Sequence, residues 1–281
     1  MTEAERRARE VKARRPPRKP VDPSHEREQI EGRTTEKWID EGSVRGVAAG
    51  AAARGASVGE VEPAEKKRRP AKPIDPEVTS ELVGALGQQR GDRLSERLAQ
   101  ASEALDRERY QEARRISGSI AKEAPAVSAV HEVLGLSSYR LGKYKQAASA
   151  LELAQELHSN PAMLPIIADC HRAQARWPAV DRVWGDIKAA SPSQDILAEG
   201  RIVAAGALSD QGDLAGAIEL MSPSTKSPKV IREHHLRQWY VLADLYDRVG
   251  DPINARRWFT AVAGQDSDYE DVQYRLRSFG R

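Results

Sequence analysis

The sequence predicts an all-α protein built as an array of helical hairpins and preceded by a long charged arm. Three observations carry that prediction. The composition is rich in Ala and poor in aromatics, which make up 5% of residues against a hydrophobic share of 40%, and this suits thin helix-on-helix cores. A turn phrase, a helix-ending Gly with Ala five residues later, recurs at Gly142 and Ala147, Gly212 and Ala217, and Gly250 and Ala255. The first 75 or so residues, by contrast, carry almost nothing large and apolar apart from Ile30, Trp38, Ile39 and Ile74.

The arm, residues 1–75, is expected to be disordered. Ordering a backbone costs about 1–2 kcal/mol per residue, and such a stretch has too little apolar surface to offset that. Through Val78 it holds 18 Lys and Arg against 15 Asp and Glu, a net of +3, which leaves the remainder at −1 within a total of +2. The overall charge therefore names no partner, whereas its distribution does offer one. Basic residues cluster in residues 6–19, with Arg14, Arg15, Arg18 and Lys19 at the end of that stretch, and again at Lys66, Lys67, Arg68 and Arg69. Each cluster can be read as a phosphate-neutralising contact to RNA or DNA, or as a solvated, self-repelling tail; no aromatics interleave to stack on bases. Trp38, followed by Ile39, is read either as a short motif that docks on a partner or on the body, or as a stray residue.

Residues 76–281 are expected to form the folded body. Residues 78–88, with Leu82, Val83 and Leu86, read as a capping helix over the first hairpin. Five turns follow, the weaker copies being Arg109-Tyr110-Gln111-Glu112-Ala113 and Arg176-Trp177-Pro178-Ala179-Val180. Seven residues before each turn position stands a small residue: Ala101, Gly135, Ala168, Ala205 and Ala243. Five residues after it stand Ala113, Ala147, Val180, Ala217 and Ala255, again small. Two antiparallel helices come close only where such residues meet, and larger side chains four positions on, Leu151, Trp184, Met221 and Phe259, fill the space toward the next hairpin; the first copy has only Ser117 there. Gly142, Gly212 and Gly250 suit the left-handed position past a helix end, Asp213 and Asp251 suit N-caps, and Pro252 suits a first helical position. A longer Ser-Pro-rich link is expected at residues 222–229, and Tyr269, Val272, Leu276 and Phe279 form one face of a closing helix.

With these residues in view, the chain resembles tetratricopeptide repeat proteins of bacterial type. Trp239, Leu242, Ala243, Tyr246, Ala255 and Phe259 match the family phrase most fully, then Leu134, Gly135, Tyr144, Ala147 and Leu151, and the resemblance spans roughly Leu94 to Ala263. The first, third and fourth repeats are degenerate. The resemblance implies a right-handed α-solenoid of about five hairpins, with capping helices at both ends, that binds a peptide or protein along its concave wall. Carried over residue by residue, that wall is Glu132, Leu136, Tyr139, Arg140, Asp169, Arg172, Ile202, Arg237, Tyr240, Asp244, Asp247 and Arg248. The family's carboxylate clamp of Lys and Asn is replaced here by Glu132 and Leu136, so capture of a C-terminal carboxylate is not expected.

Other chemistry finds little footing. Cys170 is the single cysteine, which leaves no internal disulfide and fits a reducing, cytoplasmic compartment. Cys170-His171 falls at a helix-packing position with no Gly-rich elbow nearby, so a buried structural thiol is expected. His234 and His235 are adjacent on a helix and lack a further ligand at i+4, so no metal or cofactor is expected. The longest small, uncharged run, residues 46–53, is far short of a membrane span. The expected function is a non-enzymatic interaction scaffold for an unidentified protein or peptide. A factor bound to nucleic acid or the ribosome through the basic arm is the contrasting reading.

Overall fold

A computed structural model describes residues 73–190, 192–225 and 228–279. The described residues are helical, with twelve α-helices, two short 3-10 turns and no strand among them. The basic clusters at Arg14, Arg15, Arg18 and Lys19 and at Lys66, Lys67, Arg68 and Arg69, together with Trp38, lie outside the described residues.

Helix α1 (Pro76–Leu86) opens with the Asp75 carboxylate accepting from the Glu77 N–H at 2.9 Å and with Pro76 in its first turn. It packs on α2 (Gln88–Asp106) so closely that a Cβ added at Gly91 would sit 2.5 Å from the Val83 backbone, and Leu82 is fully buried beneath it. Residues 78–86 of the expected cap lie in α1, and Gln88 begins α2. Then follow α3 (Tyr110–Ala121), α4 (Ser128–Arg140), α5 (Tyr144–Leu157), α6 (Leu164–Arg172, entered through a 3-10 turn at Pro161–Met163) and α7 (Trp177–Ala190). The chain continues with α8 (Gln194–Asp210), α9 (Leu214–Met221), a 3-10 turn at Ser222–Thr225, α10 (Glu233–Arg248), α11 (Pro252–Ala263) and α12 (Val272–Ser278). Each helix packs on its successor, and α2 with α4, α6 with α8, and α8 with α10 also touch.

The five hairpin turns are built alike. Glu108, Gly142, Ala175, Gly212 and Gly250 all have positive φ, between 54° and 86°. Each donates its N–H three residues back, and the next residue donates five back: Lys143 to Ser138, Arg176 to His171, Asp213 to Leu208, Asp251 to Tyr246 and Arg109 to Ala104, all at 2.8–3.0 Å. That pair of bonds is the Schellman motif, which satisfies the last carbonyls of a helix and reverses the chain. After the fourth and fifth turns stand the expected cap residues. Asp213 accepts from the Gly216 N–H and Asp251 from the Asn254 N–H, with Pro252 behind it.

At the crossings the small residues are buried as the spacing requires. Ala101, Ala205 and Ala243 on one side, and Ala113, Ala147, Val180, Ala217 and Ala255 on the other, are fully enclosed. Gly135 admits no more than hydrogen, since a Cβ there would meet Leu151 at 2.5 Å. Leu151, Met221 and Phe259 fill the cores as expected. In the first hairpin Ser117 is buried by turning its hydroxyl onto the Ala113 carbonyl at 2.8 Å, and Ile116 and Ile120 supply the volume. In the third hairpin Val183 and Ile187 are fully in the core, and the half-buried Trp184 packs against that core on the side of the next hairpin, as expected. Gly200 of α8 takes the Ile187 tip and the edge of the Trp184 indole, where a Cβ would meet them at 2.7 and 3.1 Å, and Lys188 sits 5.4 Å over the ring.

The Ser-Pro link is tied down by α10, whose Trp239 indole donates to the Ser224 carbonyl at 2.9 Å. At the C-terminal end, Val272 is fully buried, Phe279 packs 6.1 Å from Phe259, and Tyr269 lies 5.9 Å from Tyr240, so the closing helix covers the last hairpin. No helix among the described residues is long and apolar enough to cross a membrane.

Candidate functional site

The candidate wall residues sit on α4, α6, α8 and α10, the first helices of successive hairpins, and most of them are bonded to a neighbouring element. On α4, the Tyr139 hydroxyl donates to Asp169 Oδ2 of α6 at 2.6 Å. Arg172, one turn on along α6, donates through Nε to Asp169 Oδ1 at 2.8 Å and through its terminal nitrogen to Asp210 of α8 at 2.6 Å. Arg237 of α10 pairs with Glu199 of α8 at 2.7 Å, and Arg201 of α8 donates to Gln238 of α10 at 2.9 Å. On α10, Tyr240 donates to Asp271, and Asp244 and Asp247 both receive Arg275 of α12. Glu132 accepts from Asn160, in the loop leading to α6, at 3.1 Å.

Burial gives these bonds their character. The hydroxyl of Tyr139 is pushed above its ordinary range by enclosure and then by the Asp169 charge, so it remains a donor at any working pH. Burial by itself would lower the Arg172 guanidinium, but Asp169 and Asp210 outweigh it and hold the group above its usual value. Asp244 is raised by burial against the opposing pull of Arg275, and Glu199 is raised by burial against Arg237. Such partly buried, multiply bonded charges lose much when one partner is deleted, because the remaining charge stays enclosed.

The predicted residues therefore divide. Tyr139, Asp169, Arg172, Arg237, Tyr240, Asp244 and Asp247 are joined into ties between helices, Leu136 packs against the core around Leu151, and Arg140 and Arg248 are exposed. Ile202 corrects the expectation. At 6% exposure it belongs to the core with Met221 and Leu242 and offers no wall surface. Glu199, Arg201, Asp210, Asp271 and Arg275 carry no mark in the sequence, because each acts through a partner about thirty or more residues away and no local motif points to it.

The remaining candidates for chemistry are packed away. Cys170 is fully buried, and its thiol is pushed well up by burial and then by Asp169 and Glu152, which keeps it protonated. His171 is also enclosed: Nε2 meets Glu152 at 2.9 Å, and burial lowers its pKa against the Glu152 charge. His235 Nδ1 accepts from the Arg232 N–H at 3.0 Å, capping α10. Among the described residues no group of three or more His, Cys, Asp or Glu is placed to hold a metal ion.

No protein-family model matches this sequence, and comparison with curated proteins finds no match.

Proposed function

We propose that this chain is a non-enzymatic scaffold: a right-handed solenoid of five tetratricopeptide-like hairpins that holds a protein or peptide partner against α2, α4, α6, α8 and α10. The observation that carries this reading is the common register of the five turns. Glu108, Gly142, Ala175, Gly212 and Gly250 share one backbone conformation and one pair of hydrogen bonds, with small buried residues at fixed offsets on both sides. A repeated hairpin that buries its faces only against neighbours generates an extended surface, and such surfaces serve recognition. Ties between alternate helices support the same reading, since they fix the spacing of consecutive first helices. The exposed wall residues Arg140 and Arg248 frame that surface with positive charge.

Crosslinked capture from cell extract tests the proposal, using the full chain, an Arg140→Glu/Arg248→Glu variant, and a variant with Arg14, Arg15, Arg18, Lys19, Lys66, Lys67, Arg68 and Arg69 changed to Gln, each with and without nuclease. A partner kept after nuclease and by the arm variant, but lost by the wall variant, supports the scaffold. Partners that depend on the arm and vanish with nuclease overturn it in favour of a nucleic-acid-bound factor, whose binding would also fall steeply with salt.

A further inference from the structure

A pocket of about 510 Å³ opens where the chain enters the folded body, between residues 73–78, the second half of α2 and the first half of α4. Its lining includes the apolar Ile74, Val78, Leu98 and Val133 together with four carboxylates, Asp75, Glu103, Asp106 and Glu132, and Arg107 as the opposing cation. Arg107 is held by Glu103 at 2.6 Å, so the pocket keeps a net negative charge. The last turn of α2, which borders it, contains no basic residue, and the C-terminal end of that helix adds its own negative potential. A lining that mixes apolar side chains with carboxylates suits a lysine or arginine, whose methylenes pack on the apolar residues while the head group meets the acids.

The chain itself delivers such side chains to this place. Pro73 lines the pocket, and Lys66-Lys67-Arg68-Arg69 ends four residues before it. At about 3.3–3.6 Å per residue, Arg69 can lie no farther than about 14 Å from Pro73. A tether this short sets a local concentration of about 1 mM, well above that of a free basic peptide in ordinary solution. We propose that the pocket between α1, α2 and α4 is a binding site for a cationic segment and that its occupant is the basic block at residues 66–69 of the same chain. Docking there neutralises the carboxylates and sequesters one of the two basic clusters of the arm, so that phosphate-bearing ligands would have to compete for it. The pocket shares α2, α4 and Glu132 with the wall proposed above for a partner, so a docked block would occupy the N-terminal end of that wall; the docking itself rests on the pocket's own lining.

Limited trypsin digestion of the full chain tests it, with cleavage sites mapped by mass spectrometry and with the basic cluster at residues 6–15 as an internal reference. A site of about 0.1 mM intrinsic affinity facing a local concentration of about 1 mM keeps the block docked about nine-tenths of the time, and so slows cleavage after Lys66, Lys67 and Arg68 about tenfold. Asp106→Lys, at an exposed position with an unchanged thermal midpoint, should return cleavage to the reference rate, and so should about 0.5 M salt (about 4 Å screening length) on the wild type. Because the block stays equally close to the folded body in that variant, mere crowding of the protease would leave the slow rate in place. Equal rates in wild type and variant, or cleavage at the reference rate in wild type, overturn the proposal. If the wild type is cleaved freely while a labelled Lys-Lys-Arg-Arg peptide still binds and is released by Asp106→Lys, the occupant is a partner's basic segment and the assignment to this chain is wrong.

Discussion

Ala175→Gly should stabilise the protein, and Gly212→Ala should destabilise it by a similar amount. Ala175 closes the third hairpin with φ at 54°, where a Cβ crowds the neighbouring carbonyl; Gly212 closes the fourth with φ at 86°. Left-handed conformation costs a residue with a Cβ about 1–2 kcal/mol, whereas glycine adopts it freely. Part of the gain is returned through the unfolded chain, because glycine there has more freedom to lose, about 0.4–1 kcal/mol. The difference leaves about 0.5–1 kcal/mol in favour of glycine at this position. At Gly212 a Cβ would meet nothing within 4 Å, so the same balance applies with the opposite sign and no steric addition. For a folded body of this size, about 1 kcal/mol moves the thermal midpoint by about 2–4 °C. Thermal melts followed by circular dichroism measure both variants, and urea melts check that the change is in midpoint rather than slope. If Ala175→Gly lowers the midpoint, or Gly212→Ala leaves it unchanged, the shared turn geometry is wrong and the register of five hairpins goes with it.

Further outcomes follow from the packing. Gly135→Ala forces a methyl into Leu151 and toward its backbone nitrogen at 3.3 Å; about 1–3 kcal/mol of destabilisation is expected by urea titration, and Leu151→Val beside it should recover part of the loss. Asp210→Ala leaves the mostly buried Arg172 guanidinium with one carboxylate fewer and should lower the thermal midpoint more than Asp181→Ala on the exposed face of α7. His171, held below its ordinary value by burial, takes up its proton at lower pH in the fold than in the unfolded chain, which protonates near about pH 6.5, so stability should fall as pH drops below that value. Thermal midpoints from about pH 7.5 to 5.5 should show that fall, and His171→Gln, which keeps a donor for Glu152 without titrating, should flatten it.

What is legible in the sequence follows from what repeats force upon it. Gly142, Gly212 and Gly250 announce their turns because glycine is the residue that a left-handed helix end selects, and the buried alanines announce the crossings because no larger residue fits. Glu108 and Ala175 occupy the same backbone position with no chemical marker, and only their offset from Ala101 and Ala168 locates them. Pattern alone places Ile202 on the wall because α8 runs apolar around much of its circumference, with Ile202, Val203, Ala204, Ala205 and Ala207 all buried, so periodicity does not tell which stripe faces out. Register places Trp184 toward the next hairpin, where it packs, but nothing near it marks Gly200 as the residue that receives its edge. Tyr139, Asp169, Arg172 and Arg237 do lie on first helices, as their offsets from the turns imply. Their bonds across to neighbouring helices, including those to Asp210 and Glu199, depend on how hairpins stack, which no single stretch of sequence encodes.

The scaffold depends on hairpins stacked in chain order, and spin-label distances across the turns report that order. Labels at Arg107, Lys143, Arg176, Gln211 and Val249, each beside one turn, leave the buried Cys170 thiol unlabelled. A solenoid of hairpins predicts that distances from the Arg107 label rise in order through Lys143, Arg176, Gln211 and Val249. A later turn that lies nearer to Arg107 than an earlier one would contradict the ordered stack and remove the surface on which the scaffold reading depends.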